Sequence, residues 1–149
     1  MKQAKLVLGT WAWGDNGSYF GNNYGPEHFQ QVFDEAFSKG LNFWDTAYAY
    51  GAGASEKILG SFVKSVPRKE VVLSTKFTPQ MQDGTDNAVT NMLEGSLQRL
   101  NTDYIDYYWI HNDADVEKWT PRLVPLLQSG KVKHVGVSNH TLSEIKRAQ

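Results

Sequence analysis

The sequence predicts an α/β protein in which strands and helices alternate along all 149 residues. Two observations carry this prediction. Five short apolar segments lack the polar alternation of a half-exposed strand, so each is expected to be buried on both faces, as in a parallel sheet. Each segment precedes a stretch with apolar residues at helical spacing, and this order is typical of parallel sheets covered by helices.

The first part of the chain predicts two strand–helix units, with strands at residues 6–8 and 41–44. Between these strands, Pro26 suits the first turn of a helix, and Gly40 suits the position just after its last residue. After the second strand, Ser55 is expected to cap a second helix through its side-chain oxygen. The apolar face of this helix is formed by Ile58, Leu59, Phe62 and Val63.

Three more units are predicted further along, with strands at residues 70–75, 104–110 and 132–137. The third helix is expected to begin at Thr85 or Asp86, and its apolar stripe consists of Val89, Met92, Leu93, Ser96, Leu97 and Leu100. The fourth helix ends at Gly130 and is marked by Trp119, Leu123, Leu126 and Leu127. Thr141 and Glu144 form a capping box that begins the fifth helix.

Two architectures suit this order: a doubly wound open sheet and a (β/α)8 barrel. Residues 9–14 read Gly-Thr-Trp-Ala-Trp-Gly, so the Gly-rich nucleotide fingerprint of the doubly wound fold is missing after the first strand. A barrel needs about 250 residues, and this sequence supplies about five of its eight units. Because residues 146–149 end inside a helical pattern, residues 1–149 are expected to be the N-terminal portion of a single longer barrel domain.

Composition narrows the classes of partner. The net charge is −1, which gives no electrostatic reason to expect nucleic acid or an anionic membrane. There is no cysteine, so disulfides, thiolate catalysis and cysteine-bound metals are excluded. No stretch approaches the ~18 apolar residues of a membrane span, and the apolar start is too short for a signal peptide. A soluble, cytoplasmic protein is expected.

Every predicted strand ends in residues that are capable of chemistry, and in a barrel these ends gather at one rim. The residues are Thr10 and Trp11, Asp45 with Tyr50 on its loop, Lys76, His111, and Ser138 with Asn139. Each residue taken alone also has an interpretation without a catalytic role: Asp45 could be a turn residue, Lys76 a solvated surface charge and His111 a loop histidine. Their convergence on one rim is what predicts a functional site. An aromatic pocket mouth is suggested by Trp11, Trp13, Tyr19, Phe20 and Trp44, although the barrel core suits Trp44 better.

These four residue types together suit proton transfer to a carbonyl oxygen. A phenol titrates near pH 10, too high for an acid or base at neutral pH without help. A lysine ammonium beside Tyr50 would favour the phenolate, and a carboxylate would hold that lysine charged and in place. A histidine would orient the substrate oxygen. The set has no obvious nucleophile and no suitable group of metal ligands. We therefore expect a cofactor that supplies a hydride, and we expect no metal ion.

The strand-end motifs are similar to those of the aldo-keto reductases, in the same order over essentially the whole chain. They read LGTWAWG (8–14), DTAYAYG (45–51), STKF (74–77), IHN (110–112) and GVSN (136–139). The resemblance implies a TIM barrel that uses NADP(H) to reduce aldehydes and ketones to alcohols, or to catalyse the reverse. It implies a catalytic tetrad of Asp45, Tyr50, Lys76 and His111, with Tyr50 as general acid or base, its pKa lowered by Lys76.

The resemblance also implies the cofactor-binding residues and the expected activity of the chain. Ser138 and Asn139 would hold the nicotinamide carboxamide, and Thr10, Trp11 and Asp45 would lie on the cofactor or pocket side. Other cofactor contacts in this family come from later strands, so the 149-residue chain is expected to have little or no turnover. Its exposed sheet edges favour self-association. Asn112 and Asp113 stand where the family often has a proline, which alters the loop after His111.

Three alternatives stay open at this point. Lys76 could form a Schiff base in an aldolase-type barrel. His111, Asp113 and Asp115 could bind a metal in a hydrolase. The chain could also be a truncated or non-catalytic fragment of an aldo-keto-type barrel that acts, if at all, as a binding or regulatory module.

Overall fold

A computed structural model of the chain describes residues 6–113 and 115–149, and it contains a sheet of five parallel strands. The strands are β1 (Leu8–Gly9), β2 (Phe43–Asp45), β3 (Val72–Phe77), β4 (Ile105–Ile110) and β5 (Val132–Val137). Their order in the sheet is the order of the sequence. A doubly wound sheet reverses its strand order at a switch point, so this topology is that of the first five units of a (β/α)8 barrel.

Helices connect the strands and cover one face of the sheet. They are α1 (Pro26–Ser38), α2 (Ala54–Val63), α3 (Ala88–Leu100), α4 (Val116–Trp119), α5 (Val124–Gln128) and α6 (Leu142–Arg147). Short 3₁₀ turns lie at Tyr50–Gly53, Arg68–Glu70, Pro79–Met81 and Thr120–Leu123. Within the described part of the chain, no helix has both the length and the apolar character needed to cross a membrane.

The core lies between this helix layer and the outer face of the sheet. Trp44 is 1% exposed, and its ring lies 5.2 Å from the ring of Phe33 on α1 and 5.5 Å from that of Trp13. The other large buried side chains include Leu59, Phe62, Leu73, Phe77, Leu93, Leu100, Ile105, Tyr108 and Ile110. Trp13 and Trp44 therefore belong to the core, which confirms the core position favoured for Trp44, while the pocket mouth predicted for Trp13 is wrong.

The inner face of the sheet carries aromatic side chains in a row across three strands. The ring of Tyr107 lies 5.2 Å from Phe43 on β2 and 4.8 Å from His134 on β5, and it stacks at 9° on Trp109. Helices do not cover these half-buried or exposed residues, whereas most apolar strand residues of the opposite face are buried in the core. The two faces of one sheet therefore have different environments.

Several predicted boundaries shift in the structure. β3 begins two residues later than predicted, at Val72, because residues 68–70 form a 3₁₀ turn. α3 begins at Ala88 and not at Thr85 or Asp86. The fourth helix is broken into α4, a 3₁₀ turn and α5, and the breaks coincide with Pro121 and Pro125, which lack the N–H that a continuous helix uses. The strand at Val132–Val137 and the capping box of α6 are confirmed.

Ser55 does not cap α2. The residue before that helix is Gly53, whose left-handed backbone has φ = 90°. The Ser55 hydroxyl instead lies fully buried and donates to the Thr10 carbonyl oxygen at 2.7 Å. Sequence spacing suggested a cap because serine commonly takes that position, but here the cap is the left-handed Gly53, so the helix begins two residues earlier than a Ser55 cap would allow.

Candidate active site

The four predicted catalytic side chains lie together at the carboxyl ends of the strands. Asp45 is the last residue of β2, Lys76 is the next to last of β3, and His111 follows β4 directly. The His111 N–H donates to the Phe77 carbonyl oxygen at 2.8 Å, which continues the β3–β4 ladder to the histidine. Tyr50 reaches the same place from the turn after β2.

A strained turn places Tyr50. Within Tyr50–Gly53, Gly51 and Ala52 have φ of 59° and 50°, in the left-handed region. Gly51 is required here because a Cβ would lie 2.5 Å from the Gly14 carbonyl oxygen. The left-handed Ala52 costs roughly 1–2 kcal/mol. Strain of this kind persists where surrounding contacts enforce it, and here it turns the chain back so that the Tyr50 phenol meets Lys76.

Lys76 is the centre of the site and is 7% exposed. Its ammonium donates to Asp45 Oδ2 at 2.7 Å, to the Thr46 carbonyl oxygen at 2.7 Å and to Tyr50 Oη at 3.3 Å. An ammonium has three donors, so all of them are used. Burial lowers the pKa of the Lys76 ammonium, and the Asp45 carboxylate opposes that shift.

The environment of Tyr50 favours the neutral phenol. Burial, together with the nearby Asp45 carboxylate, raises the pKa of Tyr50 to about 12. This direction is opposite to the expectation that Lys76 lowers the pKa of Tyr50. The reason is that the Lys76 charge is compensated by Asp45 at 2.7 Å, while the loss of water around the phenol is not compensated.

His111 is neutral at pH 7. Burial, with the positive charge of Lys76, lowers its pKa to about 4 despite the opposing effect of Asp45. Its ring lies 5.6 Å from the Tyr50 ring, and its Nδ1 is 3.2 Å from Thr78 Oγ1. When Thr78 donates this hydrogen bond, the other ring nitrogen carries the proton and is a donor.

Thr10 supports the site from behind. It is fully buried, and its hydroxyl donates to the Asp45 carbonyl oxygen at 3.2 Å and pairs with Ser55 Oγ at 2.7 Å. Ser55 Oγ also lies 3.0 Å from Thr46 Oγ1. These hydroxyls join β1, β2 and α2 beneath Asp45. For Thr10, which was predicted to contact a cofactor, this geometry indicates a supporting position.

Trp11 lies on the outside of the site with two other aromatic residues. It is 48% exposed, and its ring stacks 5.9 Å from the ring of Tyr50. Tyr19 and Phe20 pack on its other sides at 4.7 and 5.2 Å. Asp15 holds their loop, since its carboxylate accepts from the Tyr19 and Phe20 N–H groups at 2.9 and 2.8 Å. Of the five aromatic residues predicted at the pocket mouth, Trp11 thus lies against Tyr50, and Tyr19 and Phe20 pack on Trp11.

Ser138 and Asn139 lie at the end of β5, next to His111. The Ser138 N–H donates to the Ile110 carbonyl oxygen at 2.9 Å. Asn139 has a left-handed φ of 60°, and its side-chain amide donates to the His111 carbonyl oxygen at 2.8 Å. The two residues therefore connect β5 to the loop that carries His111.

A cavity of about 310 Å³ lies on the inner face beside the Asp45–Lys76 pair. Its polar lining comes from Asp45, Ser74, Lys76 and Ser138, and Phe43 and Trp109 form apolar walls. The sequence did not single out Ser74 or Trp109, because neither follows a strand end. Their position is visible only once the register of β2, β3 and β4 is known.

The metal-hydrolase alternative gains no support. Across residues 6–113 and 115–149, no three or more His, Cys, Asp or Glu side chains are grouped so that they could hold a metal ion. The aldolase alternative meets a different obstacle, because Lys76 is held by three acceptors and is not a free amine.

Comparison with known proteins identifies the family of this chain. Residues 5–149 match the profile of the Aldo/keto reductase family. Among curated relatives, a probable aldo-keto reductase 1 of Glycine max is 37% identical over 127 residues, covering 78% of this chain and 37% of the relative. An NADP(+) aldo-keto reductase of Schizosaccharomyces pombe is 34% identical over 140 residues, covering 84% of this chain and 41% of the relative.

Solved structures agree as well. A thermostable aldo-keto reductase in complex with the inhibitor epalrestat superposes with a TM-score of 0.84 at 28% identity, covering 98% of this chain and 53% of that one. An aldo-keto reductase from Klebsiella pneumoniae in complex with NADPH superposes with a TM-score of 0.79 at 29% identity, covering 95% of this chain and 48% of that one. The chain thus spans about half the length of these barrels. The chain belongs to the aldo-keto reductase family.

Proposed function

We propose that this chain carries the proton-transfer part of an NADP(H)-dependent oxidoreductase that reduces aldehydes or ketones to alcohols. The observation that carries the proposal is the hydrogen-bonded row of Asp45, Lys76 and Tyr50, with distances of 2.7 and 3.3 Å and the His111 ring beside it. The family supports an oxidoreductase, and the specific roles of these side chains are our proposal.

The residues divide the work as follows. Neutral His111 donates a hydrogen bond to the substrate carbonyl oxygen and orients it. Tyr50 Oη transfers its proton to that oxygen as negative charge develops there. Lys76 stabilises the phenolate that remains, and Asp45 keeps Lys76 charged in its buried position. When bound, the cofactor supplies the hydride that completes the reduction.

The raised pKa of Tyr50 suits this direction of reaction. A phenol with a pKa of about 12 keeps its proton throughout the neutral range, so it donates only as negative charge develops on the substrate oxygen and Lys76 stabilises the phenolate. The opposite direction, alcohol oxidation, needs the phenolate as base, and burial disfavours that form. The protonated phenol is thus the form that begins a carbonyl reduction, and the phenolate that remains is the base for the reverse reaction.

The residues on the inner face fit a nicotinamide. The cavity of about 310 Å³ combines apolar walls with the hydroxyl of Ser138 at its edge, which suits a flat ring that bears a carboxamide. Asn139 follows Ser138, and its side-chain amide donates to Ser138 Oγ at 3.2 Å. We propose that Ser138 and Asn139 contact this carboxamide, with Asp45 and Trp11 facing the same region. The Klebsiella pneumoniae relative, whose complex contains NADPH, favours NADP(H) as the cofactor.

The exposed inner face also bears on the state of the chain. The aromatic row formed by Phe43, Tyr107, Trp109 and His134 would be covered by the second half of a complete barrel. We propose that the 149-residue chain alone has low turnover and associates with itself through this face and the open sheet edges. A non-catalytic binding role for the chain is the corresponding alternative. The cytoplasmic location and the absence of a nucleic-acid partner stay predictions.

The test begins with a titration of the chain with NADPH, in which binding is measured by the quenching of tryptophan fluorescence. Saturable quenching is expected if two copies together complete the cofactor site, and aldehyde-dependent oxidation of NADPH is then measured in a single turnover. Tyr50→Phe should abolish that oxidation and leave quenching unchanged. Tyr24→Phe is the matched control, since Tyr24 is exposed and stacks on His28 away from the site. Equal oxidation by the Tyr50→Phe variant would refute the assigned role.

A further inference from the structure

A second row of hydrogen bonds approaches Asp45 from the inner face. Trp109 Nε1 donates to Ser74 Oγ at 2.8 Å, and Ser74 Oγ donates to Asp45 Oδ1 at 2.7 Å. The other carboxylate oxygen, Oδ2, accepts from Lys76 at 2.7 Å. An indole has one N–H and a hydroxyl has one O–H. Trp109 and Ser74 therefore each use their only side-chain hydrogen in this row of hydrogen bonds.

The sheet register places these groups beside one another. Asp45 pairs with Ser74 across β2 and β3, and Lys76 pairs with Trp109 across β3 and β4. Side chains alternate between the two faces of a strand, so Ser74 and Lys76 both point to the inner face. Ser74 is 2% exposed, which removes water as a competing partner for its hydroxyl.

The Trp109 ring is fixed from two further sides. It stacks on the Tyr107 ring at 9°, with 6.1 Å between the ring centres. It also lies directly against β5 at Gly136, where a Cβ would stand 2.4 Å from Trp109 Cζ3. Only a glycine leaves room for the ring at this point, so the backbone of β5 helps to aim the indole N–H at Ser74.

We infer that Ser74 and Trp109 are positioning residues that hold the Asp45 carboxylate in the orientation in which it pairs with Lys76. The inference rests on the proposed function for its catalytic meaning, but its physical content does not depend on turnover. Asp45 is 27% exposed at its side chain and faces the cavity, so a carboxylate held only by Lys76 could rotate toward water. The Ser74 hydrogen bond fixes the first oxygen and thereby directs the second.

The pKa of Lys76 is sensitive to the orientation of the Asp45 carboxylate. Burial already lowers its pKa, and attraction to Asp45 is the main opposing effect, with a smaller contribution from Glu56. If Asp45 turns away, that attraction weakens while burial remains. The pKa of Lys76 should then fall further.

The experiment follows the pKa of Lys76 by NMR of its side-chain CεH₂ group in the intact chain. Ser74→Ala should lower this pKa by about half a unit or more, because the Asp45 carboxylate is then free to turn away from Lys76 toward water. Trp109→Phe keeps an aromatic ring and should lower it by a smaller amount. Ser74→Thr keeps the hydroxyl and has the adjacent cavity for its methyl group, so it should retain the parent value.

Ser96→Ala is the matched control, because Ser96 is equally buried but its hydroxyl accepts from Arg99 on the opposite face of the sheet. An unchanged Lys76 pKa in folded Ser74→Ala would overturn the inference. So would a Ser74→Thr variant that shifts as much as Ser74→Ala, since packing and not the hydroxyl would then be responsible. Because the readout needs neither NADPH nor a substrate, these failures are distinct from failure of the proposed function.

Discussion

Two carboxylates, Glu56 and Asp45, lie on opposite faces of β3 in different surroundings. On the outer face, Glu56 is fully buried, accepting from Arg99 Nε at 2.6 Å and from Thr75 Oγ1 at 2.6 Å. On the inner face, Asp45 pairs with Lys76 at 2.7 Å, yet its side chain is 27% exposed. Both carboxylates have a cation and a hydroxyl as partners. Only the inner one faces a cavity.

This comparison shows that a buried ion pair does not by itself mark an active site. The Glu56–Arg99 pair connects α2 to α3 and has no route to a substrate, so its role is to join two helices to the sheet. The Asp45–Lys76 pair has the same chemistry with an opening beside it and a phenol at 3.3 Å. The access to the cavity and the neighbouring Tyr50 phenol, and not the ion pair itself, are what support the proposed proton transfer.

The largest expected effect comes from breaking the outer pair. Arg99→Met should lower the free energy of unfolding by about 3–5 kcal/mol, because it leaves Glu56 charged and enclosed without its cation. Urea denaturation of the variant and the parent measures this difference. The double variant Glu56→Gln, Arg99→Met should recover much of the loss, since the stranded charge is gone. Exposed ion pairs contribute about 1 kcal/mol or less to stability. A loss of unfolding free energy in that range for Arg99→Met would show that water reaches Glu56.

The same type of substitution on the inner face should be much milder. Lys76→Met removes a buried ammonium whose burial is itself unfavourable, and the remaining Asp45 carboxylate can be solvated through the cavity. The expected loss of unfolding free energy is about 1 kcal/mol or less, measured in the same urea series. If Lys76→Met costs as much as Arg99→Met, the two faces do not differ in the way described.

The pH dependence of stability should show His111 as a smaller effect. Its folded pKa is about 4, below the ordinary value of 6.5, so between these values the unfolded chain binds more protons than the folded one. Stability should therefore decrease as pH falls from about 6.5 toward 4. His111→Gln should flatten the curve in this window. Thermal unfolding of both proteins across that range measures the difference, and parallel curves would contradict the burial of a neutral His111.

The sequence predicted which side chains meet on the inner face, because their positions are tied to strand ends. Asp45, Lys76 and His111 stand where apolar runs stop, and parallel strands bring such positions to one edge. Tyr50 followed from the glycine-rich turn after β2. The order of strands in the sheet was also predictable, since the doubly wound fingerprint was missing and motif order favoured a barrel.

The outer pair and the Ser74–Trp109 row could not be predicted in the same way. Glu56 and Arg99 lie 43 residues apart, and neither interrupts the apolar stripe of its own helix. Ser74 and Trp109 become partners only through the register of β3 and β4, which no local pattern specifies. Ser55 was misplaced for a related reason, because a serine near a helix start suits a cap, while its real partners come from β1 and β2.

The most direct test of the central claim uses a complete barrel. Residues 1–149 can be joined to the C-terminal half of the thermostable relative, whose fold matches this chain with a TM-score of 0.84. We expect the hybrid to oxidise NADPH in the presence of an aldehyde, and Tyr50→Phe to lower its kcat by about 10²–10⁴-fold with unchanged NADPH binding. A folded, NADPH-binding hybrid whose rate is the same with Phe at this position would contradict the assignment of the inner-face network to proton transfer.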